Sequence, residues 1–172
     1  MKKVLIAVAA IDLAVSAQAA SFKWSATAIT PDPDGGAVTS YTAYLIDASV
    51  VSYADAQANI AAGDISFIAG SAILDSATTI AGGSNARINR TGGTTVDGTS
   101  YTAYFVVLND ADNATQALLS KTTASGTGQA MTDTAFTFGS QSGATWTAVP
   151  EPTSGLLMLV GLGALALRRR RA

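Results

Sequence analysis

Acid–base or cation chemistry in residues 20–149 would fall to ten aspartates, because the chain contains no histidine and no cysteine. A Ser-His-Asp triad is excluded outright. So are Cys-ligated zinc, thiol catalysis and a disulfide framework. Two facing aspartates could in principle run glycoside hydrolysis. However, Asp32, Asp34, Asp97, Asp110 and Asp112 fall in turn-rich stretches and Asp55 at a helix start, where the side chain has a local backbone role. The cluster Asp110, Asp112, Asn113 has the look of a calcium loop. An EF-hand started at Asp110 would need Gly at 115 and Glu at 121, and Thr115 and Lys121 stand there instead. No phosphate-cradling loop is present, since 91–95 (TGGTT) lacks the lysine and the following helix. The expectation is a non-enzymatic protein with no cofactor and no bound metal.

Charge narrows the partners. Lys2, Lys3 and Arg168, Arg169, Arg170 and Arg171 lie near the ends, so residues 20–149 keep Lys23, Arg87, Arg90 and Lys121 against ten aspartates, a net charge of −6. An acidic, lysine-poor domain does not suit nucleic-acid phosphates. Tyr and Trp can stack on sugars. In so small a domain, Trp24, Trp146, Tyr41 and Tyr101 are expected in the core.

The elements that would position these groups are mainly strands. Short apolar and Thr-rich runs are separated by Gly, Asn and Asp clusters, which predicts a mainly β, two-sheet sandwich-like domain with one short helix. Strands are predicted at 22–30, with Phe22, Trp24, Ala26 and Ala28 on one face, and at 40–49, where consecutive Tyr44, Leu45 and Ile46 imply that both faces are covered. Further strands are predicted at 65–69, 73–80, 86–91, 100–110 and 116–125, and around Phe136, Phe138 and Trp146. The helix begins at Ser52 with Asp55 three residues on, a short-armed capping box, and ends at Gly63. Tyr53, Ala56 and Ile60 form its sheet-facing stripe. The pentapeptide Ser-Tyr-Thr-Ala-Tyr occurs at 40–44 and again at 100–104, an offset of 60 residues that fits either an internal duplication with two equivalent central strands or chance recurrence in a Tyr-, Thr- and Ala-rich chain; both readings put the two segments in the core.

The ends are addresses. Residues 1–19 carry Lys2 and Lys3, an apolar stretch interrupted by Asp12, and the small-x-small site Ala17-Gln18-Ala19, predicting a signal helix cut between Ala19 and Ala20. Residues 149–172 run from Pro150, Glu151 and Pro152 through a 13-residue apolar segment to Arg168, Arg169, Arg170 and Arg171. As a helix that segment is about 20 Å long, against a hydrocarbon core of about 30 Å. It suits a transient signal better than a permanent anchor. The arginines place its end on the cytoplasmic side.

This order of motif, short transmembrane helix and basic end resembles the PEP-CTERM sorting domain of Gram-negative bacteria, a likeness that covers about 24 of 172 residues. The resemblance implies an exosortase-type processing enzyme as partner and an inner-membrane stage through the C-terminal helix. It also implies delivery to the cell surface or beyond, often alongside exopolysaccharide production. The expected organisation is a signal peptide (1–19), an exported β-rich domain (20–148) and a sorting tail (149–172). The expected role is that of a surface or extracellular-matrix component. A carbohydrate-binding module for the cell's own exopolysaccharide is the alternative, and a small glycoside hydrolase a third reading.

Overall fold

The structure is a computed structural model that describes residues 20–31, 41–77, 86–110 and 114–149. The expected signal peptide before residue 20, residues 32–40 and the tail from residue 150 on lie outside the described residues, with both terminal helices expected there. Among the described residues, no helix is long and apolar enough to cross a membrane.

Nine strands and one α-helix are described. They are β1 (Phe22–Ile29), β2 (Thr42–Asp47), α1 (Tyr53–Ala61), β3 (Ile73–Ala77), β4 (Ala86–Gly92), β5 (Ser100–Leu108), β6 (Gln116–Leu119), β7 (Ala124–Thr127), β8 (Thr134–Ser140) and β9 (Trp146–Ala148). One sheet has the order β4-β1-β8 and the other β3-β2-β5-β6-β9, with β7 also pairing β5. The predicted two-sheet, mainly β architecture with a single helix is therefore present. The smaller sheet is mixed, with β1 antiparallel to β4 and parallel to β8.

Alternation along β2 and β5 explains the layering. Tyr41, Ala43, Leu45, Tyr101, Ala103, Phe105 and Val107 point between the sheets, where they meet Phe22, Trp24, Phe136 and Phe138. Ile46, Tyr104, Val106 and Leu108 point the other way, onto Ala56 and Ile60 of α1. The larger sheet is thus covered on both faces, as the uninterrupted apolar runs require.

The helix starts where Ser52 Oγ accepts the Asp55 N–H at 3.1 Å and donates to Asp55 Oδ2 at 2.7 Å. Aspartate, one methylene shorter than glutamate, here bonds the serine hydroxyl, where a full capping box would reach the backbone N–H. Gly63, at φ 75°, follows the last turn.

Three local expectations are corrected. The face of β1 slips at Ala28: its φ is 50°, the register to β4 shifts between Ala26 and Ile29, and Ile29 takes the buried position. A bulge adds a residue to one strand, and alternation reverses beyond it. Residues 65–69 are turns and bends, in which Ile65, Phe67 and Ile68 cover the edge of the α1 layer without joining a ladder. The run at 116–125 is split into β6 and β7. Both pair β5, but Leu119 faces Val106 while Ala124 faces Ala103, so four residues span a gap of two on the partner strand. The Ser120 hydroxyl holds this kink, accepting from the Phe105 N–H at 3.2 Å and donating to Thr122 O at 3.0 Å.

The repeated pentapeptide acquires a geometric meaning. β2 and β5 are antiparallel neighbours, and Leu45 lies directly opposite Phe105, positions separated by the same 60 residues as the repeat. In the other sheet β1 and β4 are likewise antiparallel neighbours, so β1–β2 and β4–β5 each cross from the smaller sheet to the larger. Tyr41 and Tyr101 both enter the inter-sheet core, and Tyr44 and Tyr104 both face the helix layer.

Candidate functional site

Where the aspartates lie decides what they can do. Asp47 Oδ1 accepts from the Ser49 N–H at 2.8 Å, Asp64 Oδ1 from the Ser66 N–H at 2.8 Å, and Asp133 Oδ1 from the Ser21 N–H at 3.1 Å. The Ser66 hydrogen bonds also hold the Asp64 carboxyl below the usual carboxylate range. Together with the cap at Asp55, these carboxylates organise turns and ends. Asp75 differs. It is buried, accepts the Trp24 indole N–H at 2.8 Å, and pairs with Arg90 Nε at 3.5 Å. Gly92 leaves room for it, since a Cβ there would stand 2.6 Å from Asp75 Oδ1. β3 of one sheet is thereby joined to β1 and β4 of the other.

Among the described residues, no three acidic side chains are grouped to hold a metal ion. Of the calcium candidates, Asp110 is described, while Asp112 and Asn113 lie outside the described residues.

All twelve aromatic residues are within the described residues, and none is exposed. Trp24, Tyr41, Tyr101 and Trp146 are buried, as expected for core residues.

A groove of about 370 Å³ lies between α1 and the β6–β9 edge. Tyr53 and Gln57 line it from the helix, Lys121 from the kink after β6, and Thr145 and Thr147 from the β9 segment. The Tyr53 hydroxyl donates to Ser120 O at 2.6 Å and Lys121 Nζ donates to Ser142 O at 3.0 Å, so both side chains are fixed at its wall. Burial raises the Tyr53 pKa. The sequence reading missed this groove, because its lining comes from three separate segments joined only by the topology.

The sorting residues Pro150, Glu151, Pro152, Arg168, Arg169, Arg170 and Arg171 lie outside the described residues, as do Ala17 and Ala19 of the signal-peptide site. Their flanks are described. Ala20 is buried, and its carbonyl accepts both the Thr95 N–H at 2.8 Å and the Thr95 hydroxyl at 3.1 Å. At the other flank, β9 pairs β6 through Gln116–Ala148, Ala117–Thr147 and Leu118–Trp146. Val149 is buried against the α1 layer, and its N–H donates to Thr115 O at 2.8 Å. Thr115 is itself held by the Asn109 side chain, which accepts its N–H at 3.0 Å and donates to its hydroxyl at 2.8 Å.

No curated protein and no solved structure matches the chain. Residues 148–171 match the family model described as the PEP-CTERM protein-sorting motif. The chain therefore carries a sorting signal of that type, which supports processing by an exosortase, a membrane enzyme, on the way to the cell surface.

Proposed function

We propose that residues 20–149 form a non-enzymatic component of the cell surface or extracellular matrix, exported by the N-terminal signal peptide and released from the inner membrane when its tail is processed. The observation that carries this reading is that none of the twelve aromatics is exposed, nine being buried and Tyr44, Tyr53 and Phe67 half-buried. The aspartates bonded at turns, at the helix cap and at the sheet-to-sheet contact support it. These groups are committed to holding the fold, and what is offered outward is a Ser- and Thr-rich β surface.

Two measurements test it. The intact mass of the exported chain, in cells with and without exosortase, should show loss of the arginine-bearing tail only when the enzyme is present. Purified 20–149 should neither cleave nor deplete the exopolysaccharide of the producing cell; turnover of that glycan would overturn the non-enzymatic reading.

The second reading, an exopolysaccharide-binding module, is favoured by the groove. Its fixed Tyr53 and Lys121, with the exposed Gln57, would suit sugar hydroxyls at a concave polar wall. Under that reading, Gln57→Ala and Lys121→Ala weaken glycan retention while leaving the unfolding midpoint unchanged. Retention unaffected by both substitutions would remove it.

A further inference from the structure

The matched sorting segment begins at residue 148, inside the folded sheet. Ala148 is the last residue of β9 and Val149 is buried, so Pro150 follows a position tied by both a hydrogen bond and core packing. An enzyme that grips a chain in extended form needs free backbone on each side of its motif. Upstream of Pro150 that backbone is engaged with β6 and Thr115. Slack downstream is also short. Five residues, 150–154, separate Val149 from the apolar run, which spans at most about 20 Å when extended. The domain edge and the membrane therefore leave the motif little room to swing clear.

The strand that blocks access is also the one best placed to yield. β9 has three residues, sits at the edge of its sheet and is paired on one side only. Short edge elements open at a fraction of the global unfolding free energy. A firm stop lies at its start, where the Trp146 indole N–H donates to Thr30 O at 2.9 Å and the ring packs 5.0 Å from Tyr41 in the inter-sheet core.

We propose that residues 147–149 peel from β6 to admit the exosortase while Trp146 stays seated, and that this local opening sets the rate at which the tail is removed. The proposal rests on the sorting reading above.

The test follows tail loss by pulse-chase on the full-length chain in exosortase-producing cells. Ala117→Cys with Thr147→Cys places a disulfide across a directly opposed β6–β9 pair. The oxidised chain is expected to be processed at least about tenfold more slowly than the same chain kept reduced. An eight-residue Gly-Ser insertion between Val149 and Pro150 should accelerate processing of the unclamped chain and abolish the effect of the clamp. Equal rates for oxidised and reduced chains, or an insertion without effect, overturn the proposal.

Amide exchange on the exported, unsubstituted chain gives a measure that needs no variant. The Val149 N–H is expected to exchange by an opening smaller than global unfolding, and protection equal to that of β5 overturns the idea. If the unclamped chain keeps its tail with and without exosortase, the sorting reading itself fails, and that outcome is distinct from a clamp that changes nothing.

Discussion

Asp75 is where the two sheets share a polar contact, and its surroundings set what substitution costs. Alanine there would leave the Trp24 indole N–H buried without an acceptor, a loss of about 2–3 kcal/mol. Asparagine keeps an acceptor and should cost about 1 kcal/mol. Urea denaturation of 20–149 carrying each substitution distinguishes the two. Ala28 is the converse case. A non-glycine residue at φ 50° carries strain, so Ala28→Gly is expected to raise stability by about 1 kcal/mol despite deleting a methyl group. A lowered denaturation midpoint would refute that account. The tyrosines predict the alkaline limit. Burial, with added repulsion from Asp55 and then Asp47, raises the Tyr104 pKa above the ordinary tyrosine value, and burial raises that of Tyr53. The unfolded chain thus loses these protons first, near pH 10. Their contribution to stability is full below about pH 10 and is lost as pH climbs toward the folded-state values. Tyr104→Phe should flatten the fall in stability measured between pH 9 and 11.

At the scale of elements, helix and turn chemistry was readable because it is local. Ser52, Asp55 and Gly63 lie within one short stretch, and the cap follows from residue type and spacing. Ser52→Ala should therefore cost about 1 kcal/mol, measurable by thermal unfolding. Features made by distant partners were not readable in this way. The slip at Ala28 is a register shift against β4, a partner distant in sequence. The break between β6 and β7 comes from a hydroxyl, Ser120, that reads like any other serine in a Ser-rich run. Residues 65–69 have the composition of a strand, and tertiary packing under α1 uses their side chains without their ladder. Of the candidate site, the tail was legible because its order of proline, glutamate, apolar run and arginines is linear. The groove was not, since nothing in the sequence says that Gln57 and Thr147 meet. Gly93 joins the two kinds of feature. Its φ is 67° and a Cβ there would collide with the Leu74 carbonyl oxygen. Gly93→Ala is expected to cost more than about 2 kcal/mol, and an unchanged melting temperature would contradict this close approach of β4 to β3.

For the molecule as a whole, the direction of the strands matters. β1 starts beside the start of β5, where the Phe22 and Tyr101 rings meet at 5.0 Å. Its far end is beside Trp146, which bonds Thr30 O. Ala20 therefore lies at one end of the sandwich, near Thr95, and Val149 at the other, near Thr115. The nine residues of β5 span the distance between those ends, about 30 Å at the rise of an extended strand. Under the proposed inner-membrane stage, the sandwich would stand on the end that carries Val149. A protein fused ahead of Ala20 would then be carried at the opposite end, away from the lipid and from the processing enzyme.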